Sequence, residues 1–317
     1  MEKILITGFS GFVASHFLDY LYSIKKQAIV LGVDVKKPLL RFEMYRPTLD
    51  IRFEMLDLMN IDALDTMLKT FNPDYVLHLA AFSSVAYSWE HPSECFINNS
   101  NIFLNLINTI RKRCPQSRVL SVGSSEEYGN VRHEDIPIKE EQPFNPVSPY
   151  AVARVSQEWM SKVYVNAYNM NIIMTRSFNH IGPRQDERFV IPSFIKQIKR
   201  IKQAGYCRGE IETGRLDIVR DFVDVRDVVH AYYLLLQDGI PGEVYNICSG
   251  KGVTLSEILQ MIADEMGVKI SARINQNFVR PKDNLEIIGS NYKIWAEVGW
   301  KPTISLKDTL RDMIVEK

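Results

Sequence analysis

Residues 3–14 read Lys3-Ile4-Leu5-Ile6-Thr7-Gly8-Phe9-Ser10-Gly11-Phe12-Val13-Ala14. A five-residue run of buried-strand character enters a glycine-punctuated turn, and helical spacing then runs from Val13 to Tyr22. A helix that opens this way presents its first backbone amides to the turn, where unpaired N–H groups and the helix dipole favour phosphate. Gly8 and Gly11 let the backbone approach a pyrophosphate across Phe9, Ser10 and Phe12, and small Ala14 permits close helix–strand packing. The spacing is Gly-x-x-Gly-x-x-Ala, not Gly-x-Gly-x-x-Gly, and the glycines alone fit an ordinary tight βα turn equally well.

Working outward, the next strand, Ile29–Val33, ends in Asp34, about 20 residues past the glycines. An acid there can bind the adenosine ribose hydroxyls and repels a 2′-phosphate, which favours NAD over NADP. Lys36 and Lys37 weaken that preference, so NADP stays possible. Asp57-Leu58 follows a third strand, Ile51–Leu56, and is placed to contact adenine. Leu79-Ala80-Ala81 closes a fourth, Tyr75–Ala80, with small residues beside the coenzyme.

Further strands are expected at Arg118–Val122, Ile172–Arg176 and Val244–Ile247, and helices at Ile61–Leu68, Asn99–Arg113 and Ser148–Tyr168. Such alternation means right-handed crossovers and a parallel sheet covered on both faces. After Arg176 the rhythm loosens into loops at Asn179–Arg188 and Gly205–Arg220, with helices near Leu255–Met266 and Leu306–Met313. The expected class is α/β, a Rossmann-type doubly wound parallel sheet with a smaller discontinuous C-terminal α/β lobe. Residues 1–178 and 221–248 would bind the dinucleotide, and 179–220 with 249–317 would form the lobe.

Composition narrows the function. The 317 residues carry 38 basic and 38 acidic side chains, which argues against a nucleic-acid binder working by broad basic attraction. No apolar run approaches the ~18 residues of a membrane helix, and Met1–Gly8 has no signal-peptide pattern. Cys95, Cys114, Cys207 and Cys248 form no Cys-x-x-Cys pair, and a reducing cytoplasm is the simplest compartment. The six histidines have no ligand spacing, so no metal site is expected.

Chemistry concentrates after the fifth strand. The segment Val119–Gly129 ends that strand in the polar loop Ser124-Ser125-Glu126-Glu127-Tyr128-Gly129. Tyr150 and Arg154 lie four apart on the following helix, hence on one face. A cation beside a phenol favours the phenolate, so the pair can pass a proton, and a nearby serine can hold a carbonyl oxygen. A packed aromatic beside a solvated charge fits a bare Tyr-x-x-x-Arg as well.

These motifs together resemble the extended short-chain dehydrogenase/reductases that act on nucleotide sugars. Within them the chain is most similar to the GDP-mannose 4,6-dehydratase and GDP-6-deoxy-4-keto-mannose reductase group. The resemblance runs nearly end to end, through Thr7–Ala14, Ser124–Gly129, Phe178–Pro183, Phe189-Val190, Leu216-Asp217, Arg220–Phe222, Arg280-Pro281 and Gly299–Pro302. It implies catalytic roles for Ser124, Tyr150 and position 154, where the family carries Lys and this chain has Arg154. That exchange keeps the charge but not the geometry. Arg154 does the same job less well, serves a different step, or marks a protein that binds without catalysis.

For the nucleotide sugar, Asn179, Arg220 and Arg280 are the groups to point at a diphosphate, since the arginine fork donates in pairs. The resemblance implies that Val190 lines the base pocket and Asp283 meets a sugar hydroxyl. Arg184 and Arg215 are further candidates, and Ser83 and Ser84 either bind the hexose or cap the next turn. The implied activity is NAD(P)H-dependent reduction of the 4-keto group of a nucleotide-linked, GDP-bearing 6-deoxyhexose. Glu126 keeps open a 4,6-dehydratase, and Asp34 fits the tightly held NAD of a dehydratase or 4-epimerase. The helices at Asn99–Arg113 and Ser148–Tyr168 resemble those that pair family homodimers.

Overall fold

The computed structural model describes residues 1–279 and 284–315. Seven strands form the central sheet: β1 (Glu2–Thr7), β2 (Ala28–Asp34), β3 (Leu49–Met55), β4 (Tyr75–His78), β5 (Arg118–Ser124), β6 (Ile172–Ser177) and β10 (Val244–Ile247). Their order is β10-β6-β5-β4-β1-β2-β3, and every neighbouring pair is parallel. The order reverses beside β1, so the connections leaving β1 and β4 go to opposite faces of the sheet and leave a crevice over the carboxyl ends of the strands.

One face is covered by α1 (Phe12–Ser23) and α7 (Val225–Asp238), and the other by α2 (Ile61–Phe71), α4 (Pro92–Arg113) and α5 (Pro149–Tyr168). The inner strands are apolar through and through because both their faces are buried: Leu5 and Ile6, Val76 and Leu77, Val119 and Leu120 point alternately to the two cores. Among the described residues no helix is long and apolar enough to cross a membrane.

The remaining chain forms the smaller lobe. It holds β7 (Asn179–Ile181), α6 (Val190–Gln203), β8 (Arg208–Thr213), β9 (Val219–Asp224), β11 (Gly252–Thr254), α8 (Leu255–Met266), β12 (Lys269–Ile274), β13 (Glu286–Ile287) and α10 (Leu306–Val315), while α9 (Tyr292–Val298) packs back on the sheet half, its Ile294 in the core with Tyr245 of β10. Strand β9 pairs with β7, β11 and β13, and β8 pairs with β12. Ile195, Ile198, Ile258 and Ile262 of α6 and α8 fill the core between them.

Two expected loops are therefore partly strand: Asn179–Arg188 contains β7, and Gly205–Arg220 contains β8 and the start of β9. Their partners lie far along the chain, so no local alternation marks them. The helix expected from Asn99 begins seven residues earlier, with Pro92 in its first turn and Glu94 against the helix dipole. A short helix, α3 (Val85–Glu90), precedes it.

The chain end is strapped back onto the sheet half. Trp300 donates its indole N–H to the Asp227 carbonyl at 2.9 Å. The Asp227 carboxylate accepts from the Thr303 amide and hydroxyl and the Ile304 amide, each at 2.9 Å. Thr309 of α10 donates to Asp224 at 2.6 Å.

Buried His78 ends β4 with Nδ1 2.9 Å from the Thr7 hydroxyl. Burial, with the Arg154 charge nearby, lowers its pKa from 6.5 to about 3. The folded state keeps it neutral where the unfolded state protonates it, so its contribution is full above pH 6.5 and is lost as pH falls toward 3. The stability gap between wild type and a non-titrating His78→Asn variant will therefore narrow by about 1.4 kcal/mol per pH unit below 6.5. Urea denaturation of both proteins at pH 7.5, 6.0 and 5.0 measures this; a gap constant with pH contradicts it.

Candidate active site

The β1–α1 turn is shaped by close backbone approach. Gly8 has φ +68°, and a Cβ there would sit 2.7 Å from the Ala80 amide nitrogen. Only glycine lets the turn lie this close to the segment leaving β4. A Cβ on Gly11 would meet only the Gly8 carbonyl, so its other side is open. Gly11 is the N-cap of α1 and supplies no side-chain cap, and Gly11, Phe12 and Val13 all line the cleft. The Gly11 amide is taken by the Gly8 carbonyl at 3.0 Å, so the amides of Phe12 and Val13 are the ones left to the cleft at the mouth of α1.

The cleft has a volume of about 840 Å³ and runs from this turn between the two lobes. Asp34 lines it at one end, its carboxylate fixed by the Ser10 amide at 2.9 Å and the Lys36 amide at 3.0 Å. Asp57, Leu58, Leu79, Ala80 and Ala81 line the same stretch. Two residues of the turn do not line it. Phe9 is fully buried in the core, stacked on Phe53 and edge-on to Phe42, over Gly32, where a Cβ would strike its ring at 2.2 Å. The Ser10 hydroxyl is spent on the Lys36 carbonyl.

Midway along the cleft lie Ser124, Glu126, Tyr150 and Arg154. Ser148 caps α5 through the Ala151 amide at 3.1 Å, which starts the helix so that Tyr150 and Arg154 share its sheet-facing side. Arg154 is buried; its Nε donates to the Tyr150 hydroxyl oxygen at 3.1 Å. Its Nη1 donates to the Val122 carbonyl at 3.0 Å and to Gln157 Oε1 at 2.7 Å. A solvated charge beside a packed ring does not describe this pair.

Ser124 is held by a capping box. Its hydroxyl accepts from the Glu126 amide at 3.2 Å, and its own amide donates to Glu127 Oε1 at 2.7 Å. Gly123 is required there, because a Cβ would stand 2.5 Å from that carboxyl oxygen. Glu127 is fully buried, and burial together with neighbouring Glu158 pushes its pKa well up. Burial alone would raise Glu158 too, but its hydrogen bonds from Arg176 and Lys162 hold it low. Arg176 grips Glu158 with two bonds of 2.8 Å and lies between the rings of Tyr128 and Phe144. This buried cluster is the footing of the serine turn.

Asn179, Val190, Arg215 and Arg220 line the far part of the cleft. Arg220 is buried and donates to the Val219 carbonyl at 2.9 Å; Arg215 pairs with Asp217 at 2.6 Å. Ser83 and Ser84 line the cleft as well, and Ser84 also caps α3 through the Tyr87 amide at 3.2 Å. Arg184 does not line it: it pairs with Asp19 and His16 of α1. Arg280 and Asp283 lie outside the described residues. Ser177 and Tyr232, hydrogen-bonded to each other at 2.7 Å, also line the cleft and were not singled out in the sequence, nor was Gln157. Helical spacing from Tyr150 and Arg154 would have flagged Gln157; nothing local marks Ser177 or Tyr232.

The family pattern described as GDP-mannose 4,6 dehydratase matches residues 5–313. The GDP-6-deoxy-D-mannose reductase of Pseudomonas aeruginosa is 31% identical over 313 residues, covering 99% of this chain and 96% of the relative. The structure of RMD from the same organism, complexed with NADPH, superposes with a TM-score of 0.83 at 30% identity, over 99% of this chain and 96% of that one. The UDP-glucose 4-epimerase of Thermotoga maritima with UDP-glucose gives 0.86 at 27% identity, over 98% and 97% of the two chains. With the pattern spanning almost every residue and a relative above 30% identical along both chains, the chain belongs to the GDP-mannose 4,6 dehydratase family.

Proposed function

We propose that the chain reduces the 4-keto group of a GDP-linked 6-deoxyhexose with NAD(P)H. The observation that carries this is the Arg154–Tyr150 hydrogen bond, beside Ser124, in the cleft that the α1 amides open onto. The similarity to a GDP-6-deoxy-D-mannose reductase, and to RMD complexed with NADPH, supports the substrate and coenzyme classes.

The residues present fit a dinucleotide. Gly11 is open toward the cleft, the first amides of α1 have no side-chain cap, and Asp34 is preset by two backbone amides. Gly8, Gly11 and Phe12 would hold the pyrophosphate through backbone, Asp34 the adenosine ribose, Asp57 and Leu58 the adenine, and Leu79–Ala81 the inner half. The coenzyme supplies hydride to the carbonyl carbon. Tyr150 gives its hydroxyl proton to the C4 oxygen, and the Arg154 Nε–H hydrogen bond stabilises the oxygen that has lost it. Ser124, whose oxygen accepts from Glu126, keeps its O–H to donate to the same C4 oxygen. Asn179, Arg215 and Arg220 would bind the diphosphate side, with Val190 against the base. Residues 1–178 and 221–248 would serve the coenzyme, and 179–220 with 249–317 the nucleotide sugar, except that β9, which crosses the boundary at 220/221, pairs wholly within the lobe.

A second reading, a 4,6-dehydratase, draws on Glu126, a carboxylate in the cleft beside Ser124. It would turn over GDP-mannose with no added coenzyme. We also propose a homodimer through α4 and α5, on which Ile97, Trp159 and Val163 are each more than half exposed. Four free cysteines, three of them buried, fit the cytoplasm.

Purified protein is expected to oxidise NADH or NADPH on addition of GDP-4-keto-6-deoxymannose; no oxidation of either ends the reductase reading. Tyr150→Phe will lower kcat by roughly 10²- to 10⁴-fold while coenzyme affinity is kept. Asp34→Ser will shift the ratio of kcat/KM for NADPH over NADH upward, and an unchanged ratio removes Asp34 from coenzyme choice. Light scattering will give a dimer mass for wild type and a monomer mass for Trp159→Glu/Val163→Glu.

A further inference from the structure

We infer that Gln157 is the positioning residue for Arg154, and that the two form one unit in which the glutamine sets the plane of the guanidinium. The inference rests on the reductase reading above. Gln157 is three residues past Arg154 on the same face of α5 and is buried. Its amide nitrogen donates to the Ser121 hydroxyl at 2.9 Å and to the Val122 carbonyl at 3.1 Å, both on β5. Those two acceptors fix which way the amide points, since turning it over would press its NH₂ against the guanidinium. The oxygen that remains accepts from Arg154 Nη1 at 2.7 Å, the shortest of that side chain's bonds. Ser161, one turn further, supports the anchor by donating to the Gln157 backbone carbonyl at 2.9 Å.

The consequence follows from the shape of the fork. A guanidinium is planar and presents its donors at fixed angles, so holding Nη1 with two acceptors fixes where Nε and Nη2 go. Here Nε meets the Tyr150 oxygen. The hydrogen bonds of Arg154 to the described residues run from Nε and Nη1, and Arg154 lines the cleft, so Nη2 is the donor left to the coenzyme. Held only through Nε, the group would turn about that contact, and neither the phenol bond nor the free donor would keep its direction. A lysine has a single nitrogen on a flexible stem and no plane to set. Gln157 therefore matters to an arginine at position 154 and has little to offer a lysine there.

The test crosses Gln157→Met, which keeps the bulk and removes both polar atoms, with Arg154→Lys. Coenzyme affinity is read first, by calorimetry with NADPH and with NADH and no sugar present; kcat and the KM of the keto-sugar follow. In the wild-type background Gln157→Met should weaken coenzyme binding and lower kcat by roughly 10- to 100-fold, with the sugar KM unmoved. In the Arg154→Lys background the same change should alter affinity by less than about threefold. Ser121→Ala loosens the same anchor with less change in packing, and stands in if the Met variant does not fold. Equal losses in both backgrounds, or no loss in wild type, would each overturn the inference. If wild type itself binds neither coenzyme, the reductase reading falls and takes this one with it.

Discussion

All seven strands of the central sheet point the same way, and that single constraint organises the molecule. Parallel neighbours cannot be joined by hairpins, so each strand must be followed by a crossover, and every strand delivers its last residue to one rim. Gly8, Asp34, Asp57, Leu79, Ser124 and Asn179 all sit where a strand ends or just beyond it. They are scattered over more than half the chain and meet because the register of the sheet aligns those ends. The reversal of strand order beside β1 keeps the crossovers from closing the rim there, and the cleft occupies that opening.

Placing residues at a rim does not orient them. Here the orienting contacts are polar, and each set includes a backbone group. The Asp34 carboxylate is set by two amides, the Ser124 amide by Glu127, and the Arg154 fork by Val122 and Gln157. Beneath the serine turn, one arginine serves one carboxylate directly and lies near another, with two aromatic rings enclosing it. Buried charge of this kind adds little net stability when paired, but losing one partner costs about 3–5 kcal/mol. It fixes geometry more than it adds stability.

The parts legible in sequence are those written by local rules. The β1–α1 turn, Asp34, the polar end of β5 and the Tyr150–Arg154 pair follow from strand and helix periodicity over short spans. The lobe strands were illegible because β8 and β12, or β7 and β9, are partners some forty to sixty residues apart and too short to show alternation. Phe9 shows a different limit. The turn was rightly placed, but whether its ring faced the coenzyme or the core depended on Gly32 leaving a hollow one strand away. Helical spacing puts Gln157 on the face of Tyr150 and Arg154, but its role lies in contacts to β5, more than thirty residues earlier, which no local pattern marks.

The strap formed by Trp300, Thr303 and Ile304 on Asp227 has a consequence for biosynthesis. A ribosome delivers the chain from one end, so β10, the last strand of the sheet, emerges well before the residues that bind Asp227. The central sheet has all its strands available before those residues emerge. The residues that strap the lobe, Trp300 to Thr309, follow more than fifty residues later. The strap is thus laid over a sheet whose every strand has already been synthesised.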